Sequence, residues 1–198
     1  MKKALLSLSL IALVLLALPL SSHAAPIDTD KDGLIDDQEV KFKTDINNPD
    51  TDGDGFVDGL EISKGFDPLS KEPKKLTKSI LIDLKKQELY QQLNGITIRT
   101  HTVSTGKRSM PTPKGTFSIA NKALRPWSKT YGLWMPYWLG VAGTRGVGIH
   151  ELPEWPGGYK EGAAHLGTPV SHGCIRLAPV AAKIVYDWTD VGTKVVIK

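Results

Sequence analysis

The spacing of apolar and polar positions divides the chain into three stretches. Ala4 to Leu20 is an apolar run broken only by two serines and Pro19. Residues 25–70 are polar, acidic and poor in core-forming side chains. From Ser79 to the end, short apolar segments alternate with turn residues, which is the signature of strands. Ile80 to Leu84 opens this part, and ELYQQL and ITIRTHTV follow on either side of Asn94-Gly95, a strong hairpin signal. PTPKGTFSIA turns on Pro113 and Gly115 and enters another strand. GLWMPYWLGV predicts a strand wall or the lining of a cleft, and GVGIH is a short apolar approach to His150. APVAAKIVYDW predicts a helix with Pro179 in its first turn and Val180, Ile184 and Trp188 on one face. TKVVIK closes the chain as a strand. The expected fold is mostly β, a sandwich or partly closed barrel with one or two short helices, preceded by a small separate module.

The first stretch reads as a signal peptide, residues 1–24. Lys2 and Lys3 precede the apolar run, and Ser22-His23-Ala24 places small residues at a cleavage site after Ala24. No second apolar run follows, so export to the periplasm or cell-wall space is expected, with no membrane span after cleavage. Charge sharpens the division of the remainder. Residues 25–70 hold 13 acidic and 4 basic residues, a net of −9, and residues 71–198 hold 19 basic and 8 acidic, a net of +11. A basic domain outside the cell meets anionic polymers of wall or membrane surface. Nothing in the chain points to nucleic-acid binding, and without heptads or an evident interface a monomer is expected.

The acidic stretch is internally repeated. DTDKDGLIDDQE (Asp28 to Glu39) and DTDGDGFVDGLE (Asp50 to Glu61) are offset by 22 residues. Each places acids at loop positions 1, 3, 5, 9 and 12 and glycine at position 6. Calcium takes six to eight oxygens, which alternating aspartates and a terminal glutamate supply while glycine permits the turn. The expected ligands are Asp28, Asp30, Asp32, Asp36 and Glu39 in the first loop and Asp50, Asp52, Asp54, Asp58 and Glu61 in the second, with backbone carbonyls of Leu34 and Phe56. The loops match the EF-hand pattern, but too few residues precede Asp28 for an entering helix, and Pro49 interrupts one before Asp50. They resemble the calcium-binding repeats of the thrombospondin type 3 class. A calcium module over 25–70 that folds only with its ion follows from so many carboxylates. Residues 71–78 read as a polar linker, which leaves 79–198 as the main domain.

The chemistry of the main domain centres on SHGCIR, Ser171 to Arg176, which contains the one cysteine of the chain. A lone thiol in an oxidising compartment is exposed to oxidation unless it is buried or used. Gly173 removes bulk beside the sulfur, and its N–H with that of Cys174 is a candidate oxyanion donor. His172 and Arg176 bring polar and positive groups that favour a thiolate. A nucleophilic thiol needs a base in reach, and His150, at the end of the GVGI approach, is the first candidate, with His172 second.

These residues resemble the L,D-transpeptidase catalytic domain, the YkuD type of bacterial wall enzymes. The resemblance rests on GIH ending at His150, the loop Glu151 to Val170, SHGCIR, and the upstream PTPKGTF turn, and it runs from about Ser79 to Lys198. It implies that Cys174 attacks the carbonyl of the third residue of a peptidoglycan stem and releases D-alanine. The thioester then passes to an amine, giving a 3-3 cross-link, protein attachment or amino-acid exchange, and water gives trimming. No cofactor is implied for catalysis. His150 would be the base, Ser171 would orient a histidine, His172 would support, and Arg176 would shape the loop, contact a substrate carboxylate or pair structurally. Glu151 departs from the small residue many members carry there; solvent exposure or contact with the acceptor amine is expected for it. Calcium is expected to be structural, and the module either stiffens the N-terminus or docks the enzyme to an envelope partner. The rival readings are a zinc site built from His150, His165, His172 and Cys174, and a non-catalytic calcium-stabilised wall-binding module. Pro153 breaks the helix that a zincin motif at His150-Glu151 requires. A papain-like protease would place its cysteine before its histidine.

Overall fold

The structure is a computed structural model and describes residues 26–198. The signal-peptide expectation for 1–24 lies outside the described residues. Two short helices come first, α1 (Asp36–Phe42) and α2 (Asp58–Lys64), each beginning at loop position 9 of its acidic repeat. The strands are β1 (Lys78–Asp83), β2 (Glu88–Leu93), β3 (Ile96–Ser104), β4 (Gly115–Ala123), β5 (Trp127–Ser128), β6 (Leu133–Trp134), β7 (Trp138–Val141), β8 (Gly148–Glu151), β9 (Ile175–Leu177) and β10 (Lys194–Ile197). A 3₁₀ turn at Ala163–His165 and helix α3 (Pro179–Trp188) complete the list.

Eight strands close into a ring in the order β1-β10-β4-β7-β8-β9-β3-β2, and β5 and β6 form a separate hairpin. Closure leaves no free edge, so the fold is mostly β as expected, with its pairing continuous instead of split into two sheets. The Asn94-Gly95 turn joins β2 to β3 with both residues at positive φ, +48° and +82°, which matches the twist of the hairpin. The period-2 pattern reads directly in β2, where Leu89, Gln91 and Leu93 face inward. The barrel core is Ile80, Ile82, Leu89, Leu93, Ile119, Leu139, Ile149, Ile175, Leu177 and Ile197.

Helix α3 begins at Pro179, where a missing N–H costs nothing. Its buried face is Ala182, Val185 and Trp188 and packs toward β8 and β9, while Val180 is 74% exposed and Ile184 37%. Of the face shared by Val180, Ile184 and Trp188, only Trp188 is buried. The helix carries apolar residues on two flanks, and the small Ala182 marks the side that can approach a sheet closely.

Leu34, Phe42 and Ile62 of the acidic repeats and Leu76 join the same hydrophobic cluster as the barrel. Gln38 Nε2 donates to the Ile98 carbonyl of β3 at 3.1 Å. The stretch read as a linker is pinned: Lys75 pairs with Phe66 as an isolated bridge, Leu76 N–H donates to Gly65, and Lys74 meets Asp67 at 2.8 Å. Among the described residues no helix is long and apolar enough to cross a membrane.

Candidate active site and acidic loops

β8 and β9 run parallel, with Ile149 opposite Ile175 and His150 opposite Arg176. Cys174 immediately precedes β9, so this register brings the end of GVGIH beside SHGCIR despite the 20-residue excursion between them. Cys174, His150, His172 and Arg176 all line one cavity of about 530 Å³, with Tyr131, Met135, Arg145, Val147, Trp155 and Glu161 among the other walls.

The sulfur is held at low polarity. Burial pushes the Cys174 thiol up from its ordinary 9.0, against a hydrogen bond from Gly148 N–H and the nearby Arg176 guanidinium. His150 is 3% exposed. Burial lowers its pKa to about 4, the Arg176 charge adds to that, and its bond to Glu151 opposes it. Nδ1 lies 2.5 Å from the Glu151 carbonyl, which can only accept, so Nδ1 carries the hydrogen and Nε2 is the basic nitrogen. Trp138 stacks on the His150 ring at 5.8 Å, and a Cβ at Gly148 would lie 2.5 Å from the Trp138 ring. Glycine is required there by close approach, and it also brings a backbone N–H to the sulfur.

The loop that carries Cys174 is tied from behind. Ser171 is fully buried; its Oγ donates to the Cys174 carbonyl at 2.6 Å and accepts from Gly173 N–H at 3.0 Å. Two expectations are corrected by this. Ser171 braces the turn and does not orient a histidine, and the Gly173 N–H is engaged by Ser171 and does not face an oxyanion. Gly173 adopts φ +114°, which its lack of a Cβ permits. Thr112, in the Pro-Thr-Pro turn, donates to the Gly173 carbonyl and accepts from Gly106 N–H, each at 2.8 Å.

His172 is exposed, stacked on Tyr131 at 5.1 Å, with Nε2 3.2 Å from Lys107 Nζ. Partial burial, Lys107 and Arg176 together lower its pKa. Arg176 is 9% exposed and makes two 2.7 Å bonds through one terminal nitrogen to both oxygens of Glu161. Its Nε is buried without a partner. Glu161 also meets His165 at 2.7 Å. Glu151 overturns both expectations for it: the side chain is buried and paired with Lys160 at 2.6 Å, which staples the 151–170 loop to the end of β8. Of the four residues considered as zinc ligands, His165 is turned to Glu161 and His172 to Lys107.

In the acidic repeats, one carboxylate oxygen from each of Asp28, Asp30 and Asp32 lies within 4.8 Å of the others, and the same holds for Asp50, Asp52 and Asp54. Gly33 and Gly55, at loop position 6, take φ +96° and +97°. Asp30 Oδ2, Glu39 Oε2, Asp52 Oδ2 and Glu61 Oε2 are buried without hydrogen-bond partners. Burial and then neighbouring carboxylates push Glu39 and Glu61 up to about 7. Buried acceptor oxygens with no donor, facing other carboxylates, fit a hard cation. Asp36 and Asp58 are corrected. Each turns both oxygens onto a threonine at loop position 2, Asp36 to the N–H and hydroxyl of Thr29 at 2.9 Å and Asp58 to those of Thr51 at 3.0 and 2.5 Å. They close the loops and stand outside the two trios.

Comparison with known proteins agrees with this geometry. A family model described as the L,D-transpeptidase catalytic domain (YkuD) matches residues 77–197, and one for the bacterial TSP3 repeat matches residues 50–71. The chain belongs to the L,D-transpeptidase catalytic-domain family and carries a TSP3 repeat ahead of that domain. It is 34% identical over 123 residues to YciB of Bacillus subtilis (strain 168), a protein assigned to the L,D-transpeptidases, covering 59% of this chain and 63% of that one. The match therefore spans less than two thirds of the relative's own length. Solved structures of L,D-transpeptidases from Mycobacterium smegmatis (26% identity, TM-score 0.53, 64% of this chain and 60% of that one) and Stackebrandtia nassauensis (31%, 0.52, 64% and 57%) share the fold.

Proposed function

We propose that the protein is an exported peptidoglycan L,D-transpeptidase with Cys174 as nucleophile. The observation that supports this most is the shared cavity in which His150, with Nε2 basic and Nδ1 fixed, stands with a thiol that accepts from Gly148 N–H. His150 takes the thiol proton as sulfur attacks the carbonyl carbon of the third stem residue. The C–N bond to D-alanine breaks, and the proton goes to the leaving amine. An acceptor amine then attacks the thioester, loses a proton to His150, and the thiol is restored. Both resting groups are neutral, so the proton transfer belongs to the substrate complex. The Cys174 N–H is the oxyanion donor left to the loop once Gly173 is committed to Ser171. Arg176, paired through one terminal nitrogen with Glu161, lines the cavity, where its other terminal nitrogen suits a substrate carboxylate.

The acidic repeats are read as a structural calcium module. Asp28, Asp30, Asp32 and Glu39 would hold one ion and Asp50, Asp52, Asp54 and Glu61 another; the ions supply charge neutralisation that lets the loops close. D-alanine release from a tetrapeptide stem tests the enzymatic reading. Wild type releases it, Cys174→Ala releases none, and His150→Ala falls by at least about 10²-fold. Equal release by Cys174→Ala would contradict the assignment.

A further inference from the structure

The loop Glu151 to Val170 ends in an aromatic tip that the acylation chemistry does not use. Trp155 and Tyr159 flank Pro156-Gly157-Gly158, and both glycines take positive φ, +90° and +84°. Trp155 N–H donates to the Tyr159 carbonyl at 2.8 Å, and the two rings sit 5.5 Å apart at 45°. The turn is fixed at its base. Glu154 pairs with Trp134 of β6 through two backbone bonds, bridges to Lys160, and accepts from Arg125 at 2.8 Å. Trp155 faces the cavity that holds Cys174, while Tyr159, beyond it, is 68% exposed. Tyr159 packs against Trp155 and still leaves most of its surface to water, so the pair offers an open aromatic face beside the cavity.

We propose that Trp155 and Tyr159 form a subsite for a pyranose ring of the glycan to which the donor stem is attached. The inference rests on the transpeptidase reading, since it assigns the cavity to the stem peptide. Three stem residues reach about 10 Å from the acyl carbon, so the sugar lies outside the cavity, past its wall. Trp155 belongs to that wall and Tyr159 continues it outward. The carboxylates of a stem suit the cationic side of the cavity, Arg145 and Arg176. The two rings offer uncharged faces with an indole N–H and a phenol hydroxyl at their edges, which complements the apolar C–H face and hydroxyl rim of a pyranose.

The test uses the peptide-free disaccharide of N-acetylglucosamine and N-acetylmuramic acid, added to the folded protein in calcium-containing buffer and followed by saturation-transfer NMR. This probe has no scissile amide, so its outcome is independent of whether Cys174 acylates. Saturation should reach the sugar ring protons. Tyr159→Ala should raise the fitted Kd roughly five- to tenfold, while Tyr159→Phe and the distant, exposed Val180→Ala stay within about twofold of wild type. Absence of transfer at about 10 mM sugar, or an equal Kd for Tyr159→Ala and wild type, would overturn the subsite.

Discussion

At Cys174 and His150 burial decides the protonation. The thiol sits above 9.0 and the imidazole falls to about 4, so at neutral pH the free protein holds a neutral pair. Alkylation of Cys174 by iodoacetamide should then be slow at pH 7 and keep rising past pH 9; a plateau reached below pH 7 would indicate a thiolate–imidazolium pair instead. His150 also links stability to acid. Its folded pKa lies below its ordinary 6.5, so the unfolded chain binds the extra proton between about pH 6.5 and 4. Its contribution is present above pH 6.5 and is lost as pH falls through that window, to the order of 3 kcal/mol at pH 4. Denaturant unfolding of His150→Gln should show a flatter acid limb than wild type. The motif residues were legible because Cys174, Ser171 and Arg176 lie within six positions. Trp138, Gly148 and Thr112 were not, because strand register and a distant turn, not local sequence, place them against His150, Cys174 and Gly173.

At the scale of elements, the Cys174 loop depends on the Pro-Thr-Pro turn and the 151–170 loop depends on β8. Thr112 is buried and both donates and accepts. Thr112→Val should cost about 1–3 kcal/mol of stability by calorimetry and lower D-alanine release, as Gly173 loses its anchor. Lys160 is partly exposed and Glu151 buried, so the pair itself is worth little; the cost lies in stranding the carboxylate. Lys160→Met should therefore destabilise by about 1–3 kcal/mol, and adding Glu151→Gln should restore most of it in a double-mutant cycle. Sequence placed α3 and the Asn94-Gly95 hairpin correctly but did not show which flank of α3 is buried. Apolar residues on both flanks leave that choice to the sheet the helix meets. The partner of Glu151 was likewise hidden, since nothing local ties it to a lysine nine residues on.

Across the whole molecule, an acidic pair of loops leans on a basic barrel through Gln38 and the shared cluster of Leu34, Phe42, Ile62 and Leu76. The repeat was readable from its 22-residue offset. The loss of Asp36 and Asp58 to Thr29 and Thr51 was not, because ligand and loop tie share one residue type. Calcium should raise the melting temperature in a concentration-dependent way, each site adding about 2.7 kcal/mol of stability at a hundredfold excess over its Kd, and Asp52→Ala with Glu61→Ala should remove the second site's share of that gain. The proposed reaction turns on the acyl-enzyme at Cys174. Intact mass of the protein after exposure to a tetrapeptide stem, beside Cys174→Ala, tests it most directly. A gain equal to the stem less D-alanine is expected on wild type alone. No adduct and no D-alanine release from the folded, calcium-loaded protein, or an adduct that persists in Cys174→Ala, would contradict it.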